Sequence, residues 1–280
     1  MLSITFGLLA ATFWGAADFL GGMATRRANV YVVVLVSEFS GLAVLLPFPF
    51  LYGESLPPVN TLLLCGLAGL LGTLGILALY YSMSIRKMSV AGPVSALLAA
   101  VIPVAVSSFT EGFPGALKFV GFGIALLAIW LISAGEGEDG SWRFRLSEIG
   151  LPLLAGIGFG FYLVIIHAAS QEDTFWPLVA SRTFSSLLLA VYVLLFNRQS
   201  LRELPQVRWQ AALTGFVDIA ANLFYVLGGQ LGRLDVIAVL GSLYPGPTVL
   251  LAWFLLKERI SRPQALGILL ALTAIVLITL

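Results

Sequence analysis

The sequence predicts an all-α membrane protein of ten transmembrane helices, arranged as two inverted five-helix repeats. Three observations support this prediction. Hydrophobic residues make up 59% of the chain and charged residues only 10%. The apolar residues fall into ten stretches separated by polar breaks, and the two halves match at a constant offset. A water-soluble protein of 280 residues needs far more charged residues to cover its surface, so the chain fits a lipid environment.

Each apolar stretch is about long enough to cross a bilayer, because about 30 Å of hydrocarbon requires a helix of about 20 residues. The predicted helices cover 3–23, 30–51, 60–83, 90–109, 116–134, 147–169, 175–196, 207–231, 236–255 and 263–280. The longest break reads GEGEDGSWRFR and is rich in glycine and charge. We therefore predict a first five-helix repeat at 1–134, a cytoplasmic linker at 135–146 and a second repeat at 147–280.

Basic residues in the loops predict the orientation of the chain. The odd-numbered loops hold twelve Lys and Arg residues, whereas the even-numbered loops hold two, Lys118 and Arg233. Loops that carry an excess of Lys and Arg remain on the cytoplasmic side. The odd loops are therefore predicted to be cytoplasmic and both termini to lie outside, in a plasma (inner) membrane.

An internal repeat appears at an offset of 146 residues. Residues 121–132 read GFGIALLAIWLI and residues 267–278 read GILLALTAIVLI, which are identical at seven of twelve positions. At the same offset Gly69 matches Gly215. Because five helices is an odd number, the second repeat enters the membrane from the opposite face. Inverted repeats of this kind place a binding site near the membrane midplane, and the sequence predicts a pseudo-two-fold axis in the membrane plane.

The second half also carries a family pattern. It comprises a small-residue stretch before Pro245, the run LLAWFLLKE that ends at Glu258, and the helix that contains Gly267. This pattern resembles an EamA-type domain of the drug/metabolite transporter superfamily, and FWGAADFLGG at 13–22 is a weaker first-half copy. The resemblance implies a ten-helix inverted-repeat carrier of small metabolites, often an exporter.

The first half departs from that family pattern at one position. Such domains often carry Arg in the second helix of each repeat. The segment SEFSGL at 37–42 matches SRTFSSL at 181–187 with one residue inserted, so Arg182 fits the pattern and Glu38 stands at the matching position of the first half.

Ionisable side chains inside the hydrocarbon are costly, so each one indicates a functional site. Four stand out within the predicted helices: Asp18, Glu38, Arg182 and Asp218. Arg182 lies about 10 Å from the outer end of its helix and Asp218 about 16 Å from the cytoplasmic end of the next helix, at about 1.5 Å per residue. Across about 30 Å of hydrocarbon these depths nearly meet. We expect the two side chains to approach each other beside a polar cavity.

Two interpretations of these charges remain open. In the functional one, Arg182 holds a substrate carboxylate through its fork of donors, while Asp218 or Asp18 holds an amine or carries a proton. In the structural one, Arg182 and Asp218 pair permanently and only stabilise the bundle. Glu38 and Asp18 lie nearer the cytoplasmic end, where they would extend to the surface or pair with Arg26–Arg27.

Aromatic and amide side chains accompany the charges at helical spacing. Trp14 lies one turn from Asp18, and Asn222 and Tyr225 follow Asp218 along one face. The predicted substrate-binding set is Arg182, Asp218, Asn222, Trp14, Asp18, Glu38, Tyr80, Tyr225 and Tyr244.

Prolines recur in the fourth helix of each predicted repeat. Proline inside a helix removes a hydrogen bond and kinks the chain. We expect Pro93, Pro103, Pro245 and Pro247 to act as gate hinges, the alternative being a packing distortion without a role in gating.

The residues favour a secondary active transporter, with export of small polar metabolites such as amino acids as the expected activity. A lipid flippase or scramblase would need the same fold, and a membrane enzyme acting on lipid-linked substrates would need a catalytic cluster. The chain has one histidine, His167, and one cysteine, Cys65, and we expect no catalytic site, metal or cofactor. The expected partners are a small solute, protons and membrane lipid but no nucleic acid, and the protein is expected to be a monomer or homodimer.

Overall fold

The structure is a computed structural model that describes residues 1–85, 88–133, 146–257 and 260–279, and the side chains within these ranges except 83–85, 88–94, 133, 146–149 and 279. The predicted linker at 135–146 lies outside the described residues apart from its last position. Every regular element in the described ranges is helical.

The α-helices are α1 (Leu2–Thr25), α2 (Val30–Leu45), α3 (Phe48–Tyr52), α4 (Val59–Ile85), α5 (Met88–Thr110), α6 (Ala116–Ser133), α7 (Leu146–Ala169), α8 (Phe175–Phe196), α9 (Leu204–Gln230), α10 (Leu234–Gly241), α11 (Pro245–Leu256) and α12 (Arg262–Thr279). A 3-10 helix at Arg198–Glu203 joins α8 to α9. Within the described ranges, seven helical stretches are long and apolar enough to cross a membrane. Three further apolar helical stretches are shorter: Ser95–Thr110, Ala116–Ile132 and Arg262–Ile278. The chain is therefore an integral, multi-pass membrane protein.

Two predicted helices are interrupted by proline. The stretch predicted as one helix over 30–51 ends at Leu45 and resumes at Phe48, because Pro47 has no N–H to continue the hydrogen-bond pattern. The stretch predicted over 236–255 breaks between Gly241 and Pro245 into α10 and α11. The prediction of continuous helices was wrong at both places.

The helices pack in pairs that correspond between the two halves. α1 packs on α9 and α7 on α4; α2 packs on α9 and α8 on α4; α5 packs on α7, and α10 and α11 pack on α1. α6 packs on α12, and α2 on α8. Exchanging the first-half helices for their second-half counterparts turns each of these pairs into another of them, except that the pairs α6–α12 and α2–α8 map onto themselves. This is the pattern that a two-fold relation between the halves would give.

The repeated segments at 121–132 and 267–278 pack against each other. A methyl group added at Gly121 would lie 2.9 Å from Ile278 Cγ1, and one added at Gly267 would lie 2.7 Å from the backbone nitrogen of Ile132. Each glycine therefore packs against an isoleucine of the other half, and the two isoleucines stand at equivalent positions of the repeat. The two segments that match in sequence thus make equivalent contacts with each other, between α6 and α12.

A reciprocal exchange of carboxylates joins the halves at α2 and α8. The Glu54 carboxylate accepts hydrogen bonds from the backbone N–H groups of Thr174, Phe175 and Trp176 at 2.8–3.1 Å. It caps the N-terminus of α8, which favours negative charge. In the other direction, Glu203 Oε2 accepts from the backbone N–H of Asn29 at 2.5 Å, directly before α2. Each half thus supplies an acid that caps the second helix of the other half.

We expect Glu54→Gln to lower the free energy of unfolding by about 1–2 kcal/mol, because an amide lacks the charge and the second acceptor oxygen that the α8 N-terminus uses. The melting temperature in detergent measures the change. Glu172→Gln is the matched control, since Glu172 is exposed in the loop just before α8. Equal melting temperatures for the two variants would contradict the assigned cap.

Candidate functional site

A cavity of about 110 Å³ lies between the two halves. This volume holds several water molecules or a small solute. Its lining comes from α1, α2, α4 and α5 of the first half and from α7, α8 and α9 of the second half, together with the break between α10 and α11. Eight of the nine residues predicted for substrate binding line it: Trp14, Asp18, Glu38, Tyr80, Arg182, Asp218, Asn222 and Tyr244.

Arg182 is shared between two carboxylates. Its Nη1 lies 3.0 Å from Glu38 Oε2, and its Nη2 forms an ion pair and hydrogen bond with Asp218 Oδ2. Arg182 is 8% exposed and Glu38 7% exposed, so these two members are shielded from water, whereas the Asp218 side chain is 24% exposed. The structure therefore brings Arg182 and Asp218 together and adds Glu38 as a third member.

The expectation that Glu38 extends to the surface or pairs with Arg26–Arg27 was wrong. Glu38 is buried because α2 packs directly on α8, where Arg182 faces it. The two residues stand at matching positions of the segments SEFSGL and SRTFSSL, and they carry opposite charges. The local segment match therefore contained this signal, since it aligned Glu38 with Arg182.

Close helix contacts position both charges. A methyl group at Gly69 of α4 would overlap the carbonyl oxygen of Ser181, and one at Gly215 of α9 would overlap the carbonyl oxygen of Ser37. These two glycines are equivalents in the repeat, and each serine directly precedes a charged member of the network. Because no side chain separates the backbones, α4 approaches α8 and α9 approaches α2 closely enough to carry Arg182 and Glu38 inward.

Neutral polar groups complete the network. Ser185 Oγ donates to Glu38 Oε2 at 2.8 Å, and Thr73 Oγ1 to Glu38 Oε1 at 3.4 Å. On the other side, Asn222 Nδ2 donates to Asp218 Oδ2 at 3.1 Å, while Tyr162 OH donates to Asn222 Oδ1 at 2.6 Å. Sequence reasoning missed Thr73, Tyr162 and Ser185, because single hydroxyl groups in apolar helices are common and nothing local distinguishes these.

Asp18 occupies a separate part of the lining. It lines the cavity together with Tyr80, whose hydroxyl donates to the neighbouring Ala17 carbonyl oxygen at 3.5 Å, and the described contacts include no ion pair of Asp18 with Arg26 or Arg27, which the alternative interpretation expected. Trp14 lies one turn away against Gly241, the last residue of α10. Tyr244 OH and Ser95 Oγ lie 3.3 Å apart in a hydrogen bond. Three aromatic rings, those of Trp14, Tyr80 and Tyr244, therefore line the cavity together with this carboxylate.

Tyr225 does not reach the cavity. The ring is fully buried, its hydroxyl donates to the Leu163 carbonyl oxygen at 3.2 Å, and its centroid lies 5.6 Å from that of Trp14. It lies on nearly the same face of α9 as Asp218 but two turns farther along, where it packs against Trp14 of α1 and bonds α7 rather than meeting the cavity. The structure places Tyr225 as a support for the lining.

The predicted hinge prolines fall in two different settings. Pro103 is buried inside the uninterrupted helix α5, and the side chain of Pro93 lies outside the described residues. Pro245 and Pro247 lie in the first turn of α11, where proline is well tolerated. They mark a break in the chain rather than a kink in a continuous helix. Ser242, at that break, lines the cavity.

A second ionic cluster lies at the C-terminal ends of α5 and α7 and at the N-terminal end of α10. Arg233 donates to Asp235 Oδ2 at 2.7 Å and to the carbonyl oxygens of Glu111 and Gly112 at 3.0 and 2.7 Å. The hydrogen bond to Asp235 raises the pKa of Arg233 above its usual value, so the guanidinium stays charged. His167 Nε2 lies 4.0 Å from Glu111 Oε1. The cluster ties the segment after α5 to the start of α10, and sequence reasoning did not predict it.

Comparisons with known proteins identify the family. The EamA-like transporter family matches residues 1–134 and 146–280, and so covers both halves of the chain. No curated protein matches the chain. One solved structure, described only as the crystal structure of a protein, is 19% identical and has a TM-score of 0.78, covering 99% of this chain and 98% of that chain; this likeness concerns the fold alone. The chain belongs to the EamA-like transporter family and is a membrane transporter of the drug/metabolite transporter superfamily.

Proposed function

We propose that this protein is a secondary active transporter that exports small polar metabolites such as amino acids, by alternating access through the cavity between its halves. The shared guanidinium carries this proposal: Arg182 of the second half bonds Glu38 of the first half and Asp218 of its own half at the cavity lining. The ion pairs of a network that joins two packed units can break and form again when the units move. A solute and protons are then candidates to bind the side chains of the network in place of their present partners.

The proposal includes ten spans in two inverted repeats, at 1–134 and 147–280, joined by the linker at 135–146. Three facts support it. The seven long helical stretches and three shorter apolar ones add to ten. The packing pairs map onto one another when the halves are exchanged. Equivalent glycines, Gly69 with Gly215 and Gly121 with Gly267, make equivalent close contacts.

The proposed orientation places both termini outside and the odd-numbered loops in the cytoplasm of a cell whose inner membrane holds the protein. The test uses single-cysteine variants in a Cys65→Ala background, since Cys65 is buried. A membrane-impermeant thiol reagent added to intact cells should label Gly112→Cys and leave Arg27→Cys unlabelled. Labelling of Arg27→Cys from outside would reverse the proposed topology.

Transport itself is tested with purified protein in liposomes under an imposed pH gradient. We expect at least one common amino acid to accumulate faster than in protein-free liposomes, and a protonophore to abolish the accumulation. Uptake no faster than in protein-free liposomes for every amino acid, or translocation of labelled phospholipid in its place, would contradict the proposal. Accumulation that persists with the protonophore would contradict proton coupling.

A further inference from the structure

The cavity carries an excess of negative charge. Among its described lining residues, three carboxylates (Asp18, Glu38 and Asp218) face one guanidinium, that of Arg182, which gives a formal charge of −2 with all four ionised. Two of the carboxylates already engage the guanidinium. A carboxylate on the solute would compete with Glu38 and Asp218 for the guanidinium, and displacing either of them would leave a carboxylate of the network unpaired.

Asp18 is the carboxylate that has no cationic partner among the described residues. The Tyr80 hydroxyl, in the same lining, donates to the Ala17 carbonyl oxygen at 3.5 Å. The rings of Trp14, Tyr80 and Tyr244 line the same cavity, and aromatic faces attract cations. A carboxylate that shares a cavity with three aromatic rings favours an ammonium group over an anion.

The helix break beside Asp18 also favours a cation. The first turn of α11 offers no free N–H group to an anion: Pro245 and Pro247 have none, while the N–H groups of Gly246 and Thr248 donate to the Leu243 and Tyr244 carbonyl oxygens. By contrast, α10 ends at Gly241 against Trp14, and the C-terminal end of a helix carries partial negative charge.

One buried hydroxyl at this break has no partner. Ser242 Oγ is buried and forms no hydrogen bond with any described residue, and Ser242 lines the cavity. A buried polar atom without a partner is costly, and a hydroxyl oxygen accepts a hydrogen bond from an ammonium group. Ser242 is therefore an acceptor that a bound cation would satisfy.

We propose that the cavity recognises its solute through a cationic amine, held by Asp18 and Ser242 between the rings of Trp14, Tyr80 and Tyr244, and that Arg182 does not bind a solute carboxylate. This inference rests on the proposed function, since it takes the cavity as the solute site. It makes amines the preferred solutes, with zwitterionic amino acids second and simple carboxylates excluded.

The test compares three ligands on one phenylethyl skeleton: phenethylamine carries only an amine, hydrocinnamate only a carboxylate, and phenylalanine both. Calorimetric titration of the wild-type protein in detergent should give phenethylamine the highest affinity, with hydrocinnamate at least tenfold weaker. Hydrocinnamate binding as tightly as phenethylamine, or no binding of phenethylamine at all, would overturn the inference. Because this series uses only the wild-type protein, it decides the matter even if a cavity variant does not fold.

Variants then locate the amine. Asp18→Asn should weaken phenethylamine binding at least tenfold, whereas Asp173→Asn, in the loop between α7 and α8, should leave it unchanged. Equal affinity in Asp18→Asn and wild type would overturn the assignment to Asp18. Failure of the proposed function has a different signature: phenethylamine would bind with this specificity, yet no amine or amino acid would accumulate in proteoliposomes.

Discussion

Arg182→Ala is expected to lower the free energy of unfolding by about 3–5 kcal/mol and to abolish transport, because removing one member of a buried ionic network leaves its partners unpaired. Both carboxylates that it bonds, Glu38 and Asp218, would face the cavity without a cation. The melting temperature in detergent and the initial rate of uptake into proteoliposomes measure the two effects. Arg202→Ala is the control, since Arg202 is exposed on the 3-10 helix and should change neither.

A triple variant separates charge imbalance from loss of packing. Arg182→Ala combined with Glu38→Gln and Asp218→Asn removes more polar interactions than Arg182→Ala alone, yet we expect it to melt at a higher temperature, since no buried charge is left uncompensated. Transport should remain absent, because the network is gone. A triple variant that melts below Arg182→Ala would contradict the view that these three side chains act as one charge-balanced unit.

Gly69→Ala and Gly215→Ala are expected to destabilise the protein by about 3 kcal/mol each, at the upper end of the cost of overpacking. In both cases the new methyl group would overlap a backbone carbonyl oxygen, that of Ser181 or of Ser37, and backbone cannot move aside as a flexible side chain can. The displaced helices carry Arg182 and Glu38, so transport should fall with stability. Thermal unfolding and uptake assays measure both effects.

The matched control for these glycines is Gly123→Ala on α6. A methyl group there meets no atom within 4 Å, and alanine favours the helix by up to about 1 kcal/mol over glycine. This variant should be as stable as the wild type or more so. If all three alanine variants behaved alike, the proposed close contacts between α4 and α8 and between α9 and α2 would be rejected.

Composition and local pattern were sufficient to predict the membrane helices. The apolar stretches and the polar breaks between them place most of the observed helices within a few residues, because lipid demands long runs of apolar residues regardless of their neighbours. This reasoning did not predict the interruptions at Pro47 and Pro245. Whether a proline kinks a helix or ends it depends on what satisfies the released backbone groups, and those partners lie on other helices.

The candidate site was predictable where the repeat supplied long-range information. The offset aligned Gly69 with Gly215, and the match between the segments at 37–42 and 181–187 aligned Glu38 with Arg182; these pairs lie at the interface between the halves. By contrast, Thr73 and Tyr162 bond members of the charged network from helices that the sequence does not connect to them. Their roles follow from the packing of α4 against α2 and of α7 against α9, which only the structure provides.

Alternating access requires the cavity between the halves to open to each side of the membrane in turn. A cysteine at Ile76, which lines the cavity from α4, tests it in a Cys65→Ala background. Leu74→Cys is the control, since Leu74 lies on the same helix and is 51% exposed on the surface that would face lipid. The measurement is the rate at which a small charged, membrane-impermeant thiol reagent modifies each variant in right-side-out and in inside-out vesicles. Alternating access predicts modification of Ile76→Cys in both preparations and of Leu74→Cys in neither; modification of Ile76→Cys in only one preparation, or in neither, would contradict it.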